Sequence, residues 1–334
     1  MALTDHVIER LGPVLAVKGL VLHWVLTVLA EPVLRNAFCG LAHKTRKHTQ
    51  HHGLGFIYRS QPSILAHVTQ PLIEKPLIDA TEAPPAVWAR GLVRKFGKTV
   101  AVDHVDLSIE PGEFYGLLGQ NGAGKTTTIK TIVGLLRPNQ GTVGIGEFNT
   151  WESPTEVKSR IGVLPEEFNL YERLTGAELL DFTAAMHGLE REEASRRRNE
   201  LLDLLDLVEA GSKLIGDYSR GMRKKVALGA AIIHRPPVLF LDEPFEGVDA
   251  VSARLIRSLL QQAAQGGTTI IFSSHEMHLV EKLCTRIGIM VAGKLTIEET
   301  PEGLCRMMGV DNVEDAFIAA VGGRTPDSSW YTTS

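Results

Sequence analysis

A layered α/β fold built on a buried parallel sheet is predicted for this 334-residue chain, and three stretches carry the prediction. The first is the apolar run Phe114-Tyr115-Gly116-Leu117-Leu118. It leads into the glycine-rich string Gly119-Gln120-Asn121-Gly122-Ala123-Gly124-Lys125-Thr126-Thr127 and then into a run to Val133 that reads as the first turns of a helix. The second is Val238-Leu239-Phe240-Leu241, closing on Asp242-Glu243-Pro244, and the third is Thr269-Ile270-Ile271-Phe272-Ser273-Ser274-His275. Continuous apolar runs, rather than alternating ones, mark strands covered on both faces. Such strands carry their working groups at their carboxyl ends.

Residues 1–85 fit none of these strands. Leu11–Ala30 has the length of a membrane span. Its eleven Leu and Val residues contribute about −3 to −7 kcal/mol on an insertion scale and Lys18 costs up to about +3, so the sum is marginal. Pro13, Gly19 and His23 weaken it further. The basic run His43-Lys44-Thr45-Arg46-Lys47-His48 would place the downstream domain in the cytoplasm. The prefix Thr4–Arg10 lacks the basic start of a signal peptide. His43, His48, His51 and His52 have no acidic or cysteine partners that would complete a metal site. Gln61 to Pro85 holds five prolines and reads as a linker. Three readings of this extension stay open: a poorly ordered tail, a helix that contacts a membrane or a membrane protein, and a working start further downstream.

From residue 86 the chain reads as strand-rich and then alternates strands with helices. Val87–Leu92 and Val100–Ile109 are short strands with polar alternation, and Pro111-Gly112 turns the chain toward Phe114. Residues 167–235 are charge-rich and helical in pattern, which makes an inserted helical subdomain. Within it, Glu190–Val208 sets leucines at helical spacing against a face of Arg and Glu. Met222–His234 is a further helix. After His275 come another helix, then Ile287–Val291, a turn at Gly293 and Leu295–Ile297, a hairpin. Residues 322–334 form a tail. A hydrophobic content of 44% is ample for a packed core. The net charge of −4 gives no support to a nucleic-acid partner. Cys39, Cys284 and Cys305 show no metal-like spacing, which fits a reducing compartment without a disulfide frame.

The string Gly119–Thr127 is a P-loop, G-x-x-x-x-G-K-T, in its strand–loop–helix context. Glycines let the backbone curl until consecutive N–H groups point inward at a polyphosphate. The helix after the loop adds its positive end. Lys125 would reach the β- and γ-phosphates, and the Thr126 hydroxyl would ligate Mg²⁺. Asp242 would hold Mg²⁺ through water, and Glu243 would act as general base toward, or positioner of, the water that attacks the γ-phosphate. Ser219 and Gly221, ahead of the helix Met222–His234, offer a hydroxyl and bare N–H groups to a second anion that the chain's own P-loop does not need.

Tyr218-Ser219-Arg220-Gly221-Met222, just upstream of Asp242-Glu243, resembles the signature sequence of the ABC ATPases. Further landmarks occur in the family's order. Phe96 matches the aromatic that stacks on adenine, Asp249 in Gly247-Val248-Asp249 matches the D-loop aspartate, and His275 matches the switch histidine that touches the γ-phosphate. The resemblance covers about residues 86 to 321. It implies an α/β P-loop NTPase fold of ABC ATPase type, with an antiparallel β subdomain and an inserted helical subdomain over about 167–235. It also implies that Ser219, Gly221 and Asp249 complete the ATP site of a second, head-to-tail domain, with ATP contacted through Gly119 to Thr127. Two departures stand out. Glu166, a catalytic and metal-site candidate, occupies the place of the Q-loop glutamine, which implies slower turnover. The signature carries Tyr218, Arg220 and Met222 where the family has Leu, Gly and Gln.

The function expected from this resemblance is that of a stand-alone ATP-binding and hydrolysing subunit. It would power transport through a separate, export-type permease by ATP-driven dimerisation with a second copy or a paralogue, at the cytoplasmic face of the membrane. The residues after Glu166 would lie near the permease, so Phe168, Leu170 and Tyr171 are docking candidates, with local packing as the alternative. A soluble ABC ATPase acting on ribosomes or DNA is the rival. Translation-type members carry two such domains and repair types a long coiled coil, whereas here about 90 residues separate P-loop and signature without sustained heptads.

Overall fold

The structure, a computed structural model, describes residues 84–322 other than Phe168. The extension with Leu11–Ala30, the basic and histidine-bearing segment, the tail from residue 323 and the docking candidate Phe168 lie outside the described residues.

Ten strands form two sheets among the described residues. β1 (Val87–Phe96), β2 (Thr99–Ile109), β4 (Gln140–Ile145) and β5 (Phe148–Asn149) make an antiparallel sheet of order β2-β1-β4-β5. β3 (Phe114–Leu118), β6 (Ile161–Leu164), β7 (Val238–Asp242), β8 (Thr269–Ser274), β9 (Arg286–Val291) and β10 (Lys294–Glu299) make the second, of order β10-β9-β3-β8-β7-β6. Its pairings are parallel except at the β9–β10 hairpin. Every residue of β3, β7 and β8 is buried. That explains their unbroken apolar sequence, because helices cover one face and the antiparallel sheet covers the other. Leu239, Leu241, Ile270 and Phe272 pack on the helical side. Val238, Phe240 and Ile271 pack with Leu92, Val102, Ile109 and Val143 on the opposite side. Each such large side chain contributes about 1.5–3 kcal/mol on burial, so the doubly covered sheet dominates the stability of this core.

Nine α-helices complete the described chain. α1 (Lys125–Ile132) follows β3, and α2 (Pro154–Arg160) precedes β6. Between β6 and β7 come α3 (Gly176–Met186), α4 (Arg191–Leu204) and α5 (Arg220–Ile232). α3 and α4 bury Leu179, Leu180, Leu201 and Leu202 against Val226 and Leu228 of α5. The polar face of α4 carries Arg196, paired with Glu193 and Glu200; exposed pairs of this kind add little to stability. α6 (Ala250–Gln265) and α7 (Met277–Leu283) flank β8, and α8 (Pro301–Met308) and α9 (Val313–Ala320) close the described chain. Of the helices given bounds in the sequence reading, α5 starts and ends two residues earlier than Met222–His234, and α4 starts one residue after Glu190. α4 ends at Leu204 rather than Val208, because Asp206 adopts a left-handed backbone that ends the helical run. No helix of the described residues is long and apolar enough to cross a membrane.

α3 begins with a capping box in which Thr175 Oγ1 accepts from the Glu178 N–H at 3.1 Å and Glu178 Oε2 accepts from the Thr175 N–H at 2.9 Å. Thr175→Ala removes one of the two bonds, and urea unfolding is expected to show a loss of about 1 kcal/mol with an unchanged m-value. An unchanged midpoint would mean that the box contributes nothing.

Candidate functional site

The parallel register brings the site together. Leu118 of β3 pairs with Ser274 of β8, Asp242 of β7 pairs with Ser273 of β8, and Leu164 of β6 pairs with Leu241 of β7. The loops after β3, β8, β7 and β6 therefore leave from one edge of the sheet. They carry, in turn, Gly119–Thr127, His275, Glu243 and Glu166.

The glycine-rich loop bends at positions where a side chain does not fit. Gly124 has φ of 107°, and a Cβ there would collide with the Ala101 carbonyl oxygen. At Gly119 a Cβ would lie 2.6 Å from the Met290 carbonyl oxygen. The loop is thus clamped against β2 and β9, and a hydrogen bond from the Gly293 N–H to the Ala123 carbonyl (3.0 Å) fastens it. Gln120 accepts from the Ala123 N–H at 3.0 Å through its backbone carbonyl, while Gln120, Asn121 and Gly122 form the exposed outer rim. Lys125 opens α1 and is 6% exposed; its Nζ donates to the Gly119 carbonyl at 2.6 Å. Thr127 lies on the same helix, and its carbonyl accepts from the Thr131 hydroxyl.

Thr126 Oγ1 donates to Asp242 Oδ1 at 3.1 Å across β8. Asp242 is 2% exposed, and the same carboxylate oxygen accepts from Ser273 Oγ at 2.6 Å. The Ser273 hydroxyl also accepts from the Glu243 N–H at 3.0 Å. A hydroxyl and a carboxylate held this close are hard oxygen donors of the kind Mg²⁺ takes, so the pair fits that ion. Glu243 comes next with φ of 49°, a left-handed backbone that is unfavourable for a residue with a side chain. Its carboxylate accepts from, or donates to, His275 Nδ1 at 3.0 Å according to the protonation of the pair, and lies 4.0 Å from Lys125 Nζ. Burial raises the Glu243 pKa, while the charges of His275 and Lys125 oppose that rise. Lys224 Nζ donates to the Glu243 and Glu246 carbonyls at 2.7 Å each.

The remaining sequence candidates fall in three places. Phe96 ends β1, half exposed, with the Arg94 guanidinium 4.6 Å above its ring. Ser219 is the N-cap of α5, accepting from the Met222 N–H at 3.2 Å. Gly221, one residue into α5, lies where a Cβ would touch Asp249 Oδ2 at 3.5 Å. Asp249 caps α6, and the Ser252 and Val251 N–H bonds hold its carboxyl below the usual range. Arg220 packs its guanidinium over Gly247 and approaches Glu246 at 4.0 Å. Glu166 is exposed on the loop after β6. Leu170 and Tyr171 are partly buried against the helical core, with Tyr171 edge-on to Phe182 at 6.0 Å, so packing accounts for both.

Sequence reasoning missed Ser273 and Lys224. Two serines interrupting the end of an apolar strand were a visible signal for the first. Nothing local distinguishes Lys224 from Arg223 and Lys225. Ser273→Ala leaves the Asp242 carboxylate and the Glu243 N–H each short of a partner. Chemical denaturation is expected to show a loss of about 1–3 kcal/mol, and a variant as stable as the parent would show that the hydroxyl is dispensable.

Known proteins share this arrangement of motifs and strands. Residues 102–246 match the family described as ABC transporter. The chain is 36% identical over 241 residues to the linearmycin resistance ATP-binding protein LnrL of Bacillus subtilis (strain 168), covering 70% of this chain and 78% of that protein. It is 40% identical over 220 residues to the ABC transporter ATP-binding protein NatA of the same organism, covering 66% and 89%. A solved ATP-binding subunit of an ABC transporter superposes with a TM-score of 0.67 at 28% identity, covering 70% of this chain and 98% of that one. A dimeric ATP-binding cassette in a post-hydrolysis state with ADP and Pi superposes with a TM-score of 0.60 at 25% identity, covering 64% and 98%.

Proposed function

This chain belongs to the ABC transporter family and is an ATPase, and from that premise we propose that it is the cytoplasmic-face subunit that powers export through a separate integral membrane permease. The observation that best supports its ATP-hydrolysing part is the convergence, at one sheet edge, of Lys125, Thr126 with Asp242, Glu243 and His275. Relatives named for linearmycin resistance, daunorubicin resistance and bacitracin transport favour export over a ribosomal or DNA partner.

In the proposed mechanism the loop N–H groups of Gly119–Thr127 hold the polyphosphate, and Phe96 offers its exposed ring to the base. Lys125 turns its ammonium from the Gly119 carbonyl to the β- and γ-phosphates. Thr126 and Asp242 would hold Mg²⁺, which would supply neutralisation of the triphosphate's charge. Glu243 accepts a proton from water as the water oxygen bonds to the γ-phosphorus and the bridging β–γ oxygen departs with its electron pair. His275 holds the Glu243 carboxylate through Nδ1 and presents its other nitrogen to the γ-phosphate. Ser219, Gly221 and Asp249 meet the nucleotide of a second copy or paralogue placed head-to-tail, because the positive start of α5 is offered to an anion that this chain's own loop does not hold. Glu166, at the Q-loop position beside the γ-phosphate of this chain's own site, would slow turnover by like-charge repulsion.

Three outcomes test the reading. Lys125→Ala is expected to abolish tight Mg-ATP binding in a nucleotide titration; unchanged affinity would remove the lysine from the site. Glu243→Gln is expected to keep ATP affinity, lose turnover and double in mass by light scattering with ATP. A monomeric and fully active variant would refute both the base and the sandwich. The acid limb of the kcat profile is expected above the ordinary glutamate value of about 4.3, since burial raises Glu243. Residual activity of His275→Ala, which removes an opposing charge, is expected to show that limb at still higher pH.

A further inference from the structure

Lys224 is the most deeply buried lysine among the described residues, 1% exposed, and the proposed mechanism leaves it without a role. It sits in the second turn of α5, five residues past Ser219. Burial is the main influence lowering its pKa, the Arg220 charge acts in the same direction, and Glu246, Glu243 and Glu166 pull upward. An ammonium is costly to bury, and a hydrophobic residue of similar volume would avoid that cost. What the cation holds is the turn that carries the attacking-water residue. Nζ donates at 2.7 Å to the carbonyl of Glu243 and at 2.7 Å to the carbonyl of Glu246.

Glu243 needs such support. Its left-handed φ of 49° persists only where the surroundings over-determine it. The Ser273 hydroxyl takes its N–H and Lys224 takes its C=O, so both peptide groups of one residue are pinned from two different elements. That leaves the carboxylate aimed at His275 and Lys125, with Asp242 as its neighbour.

We propose that Lys224 is a positioning residue for ATP hydrolysis: its ammonium locks the Glu243 backbone and ties the aim of that carboxylate to the signature helix. The inference rests on the reading of Glu243 as the residue that activates water. One side chain then joins the start of α5, where a second copy's nucleotide would dock, to the base of this copy's own site.

The test uses the full chain and four proteins: the parent, Lys224→Met, Lys224→Gln and Glu243→Gln. Steady-state ATPase rates and the Kd for a fluorescent ATP analogue are measured for each. Lys224→Met fills the volume without donors and is expected to lower kcat about tenfold or more while Kd and KM stay within about twofold. Lys224→Gln is one bond shorter but keeps two N–H donors, and it is expected to recover at least about a third of the parental kcat. A Lys224→Met kcat within about twofold of the parent overturns the proposal. So does a Gln variant as slow as the Met variant. If Lys224→Met gives no cooperative melt, Lys224→Ala, which also removes the donors, takes its place with the same expected and overturning rates. If Glu243→Gln loses turnover while Lys224→Met keeps it, only the role of Lys224 falls; if Glu243→Gln keeps turnover, the reading of Glu243 falls and the proposal with it.

Discussion

The parallel register between β3, β8 and β7 is the constraint on which the rest depends. Strand β8 separates the strand that launches the glycine-rich loop from the strand that ends in Asp242. The Thr126–Asp242 contact at 3.1 Å therefore spans a whole strand, and it exists only because Ser274 aligns with Leu118 and Ser273 with Asp242. A one-residue slip would move each strand's side chains to the opposite face of the sheet. The sheet resists that slip because it is covered on both faces, so no register error can be hidden in solvent.

The polar groups at that edge are arranged so that each buried one has a partner. Ser273 both gives and takes: it donates to the Asp242 carboxylate and accepts from the Glu243 N–H. Lys125 rests on a backbone carbonyl, and Lys224 on two. The one group left under tension is Glu243, buried, left-handed and raised in pKa, with the charges of His275 and Lys125 opposing that rise. Strain and desolvation thus fall together on one carboxylate amid satisfied neighbours.

The departures from the family pattern acquire physical content in this frame. Tyr218, where the family carries leucine, is buried and donates its hydroxyl to the Ala210 carbonyl at 2.6 Å, so it anchors the signature to the helical subdomain. Arg220, where the family carries glycine, reaches back over Gly247 instead of standing free. Glu166 remains in the electrostatic neighbourhood of Lys224. These contacts link signature and D-loop residues within one chain, before any second copy is present.

Much of this was legible in the residue string. The apolar runs at Phe114, Val238 and Thr269 announced doubly buried strands, and the spacing of Gly119, Gly124, Lys125 and Thr126 announced a tight glycine-rich turn between strand and helix, because backbone curvature and strand burial are imposed locally. The hairpin after Gly293 and the leucine face of α4 were visible for the same reason. The order of strands, the bridge from Thr126 through Asp242 to Ser273, the strained backbone of Glu243 and the placing of Lys224 beneath it were not. Each joins residues far apart in the chain, between 19 and 116 positions, and their meeting depends on which hydrophobic faces pack together. Local pattern determined the parts and the chemistry each could carry; only the tertiary packing decided which of them share a site.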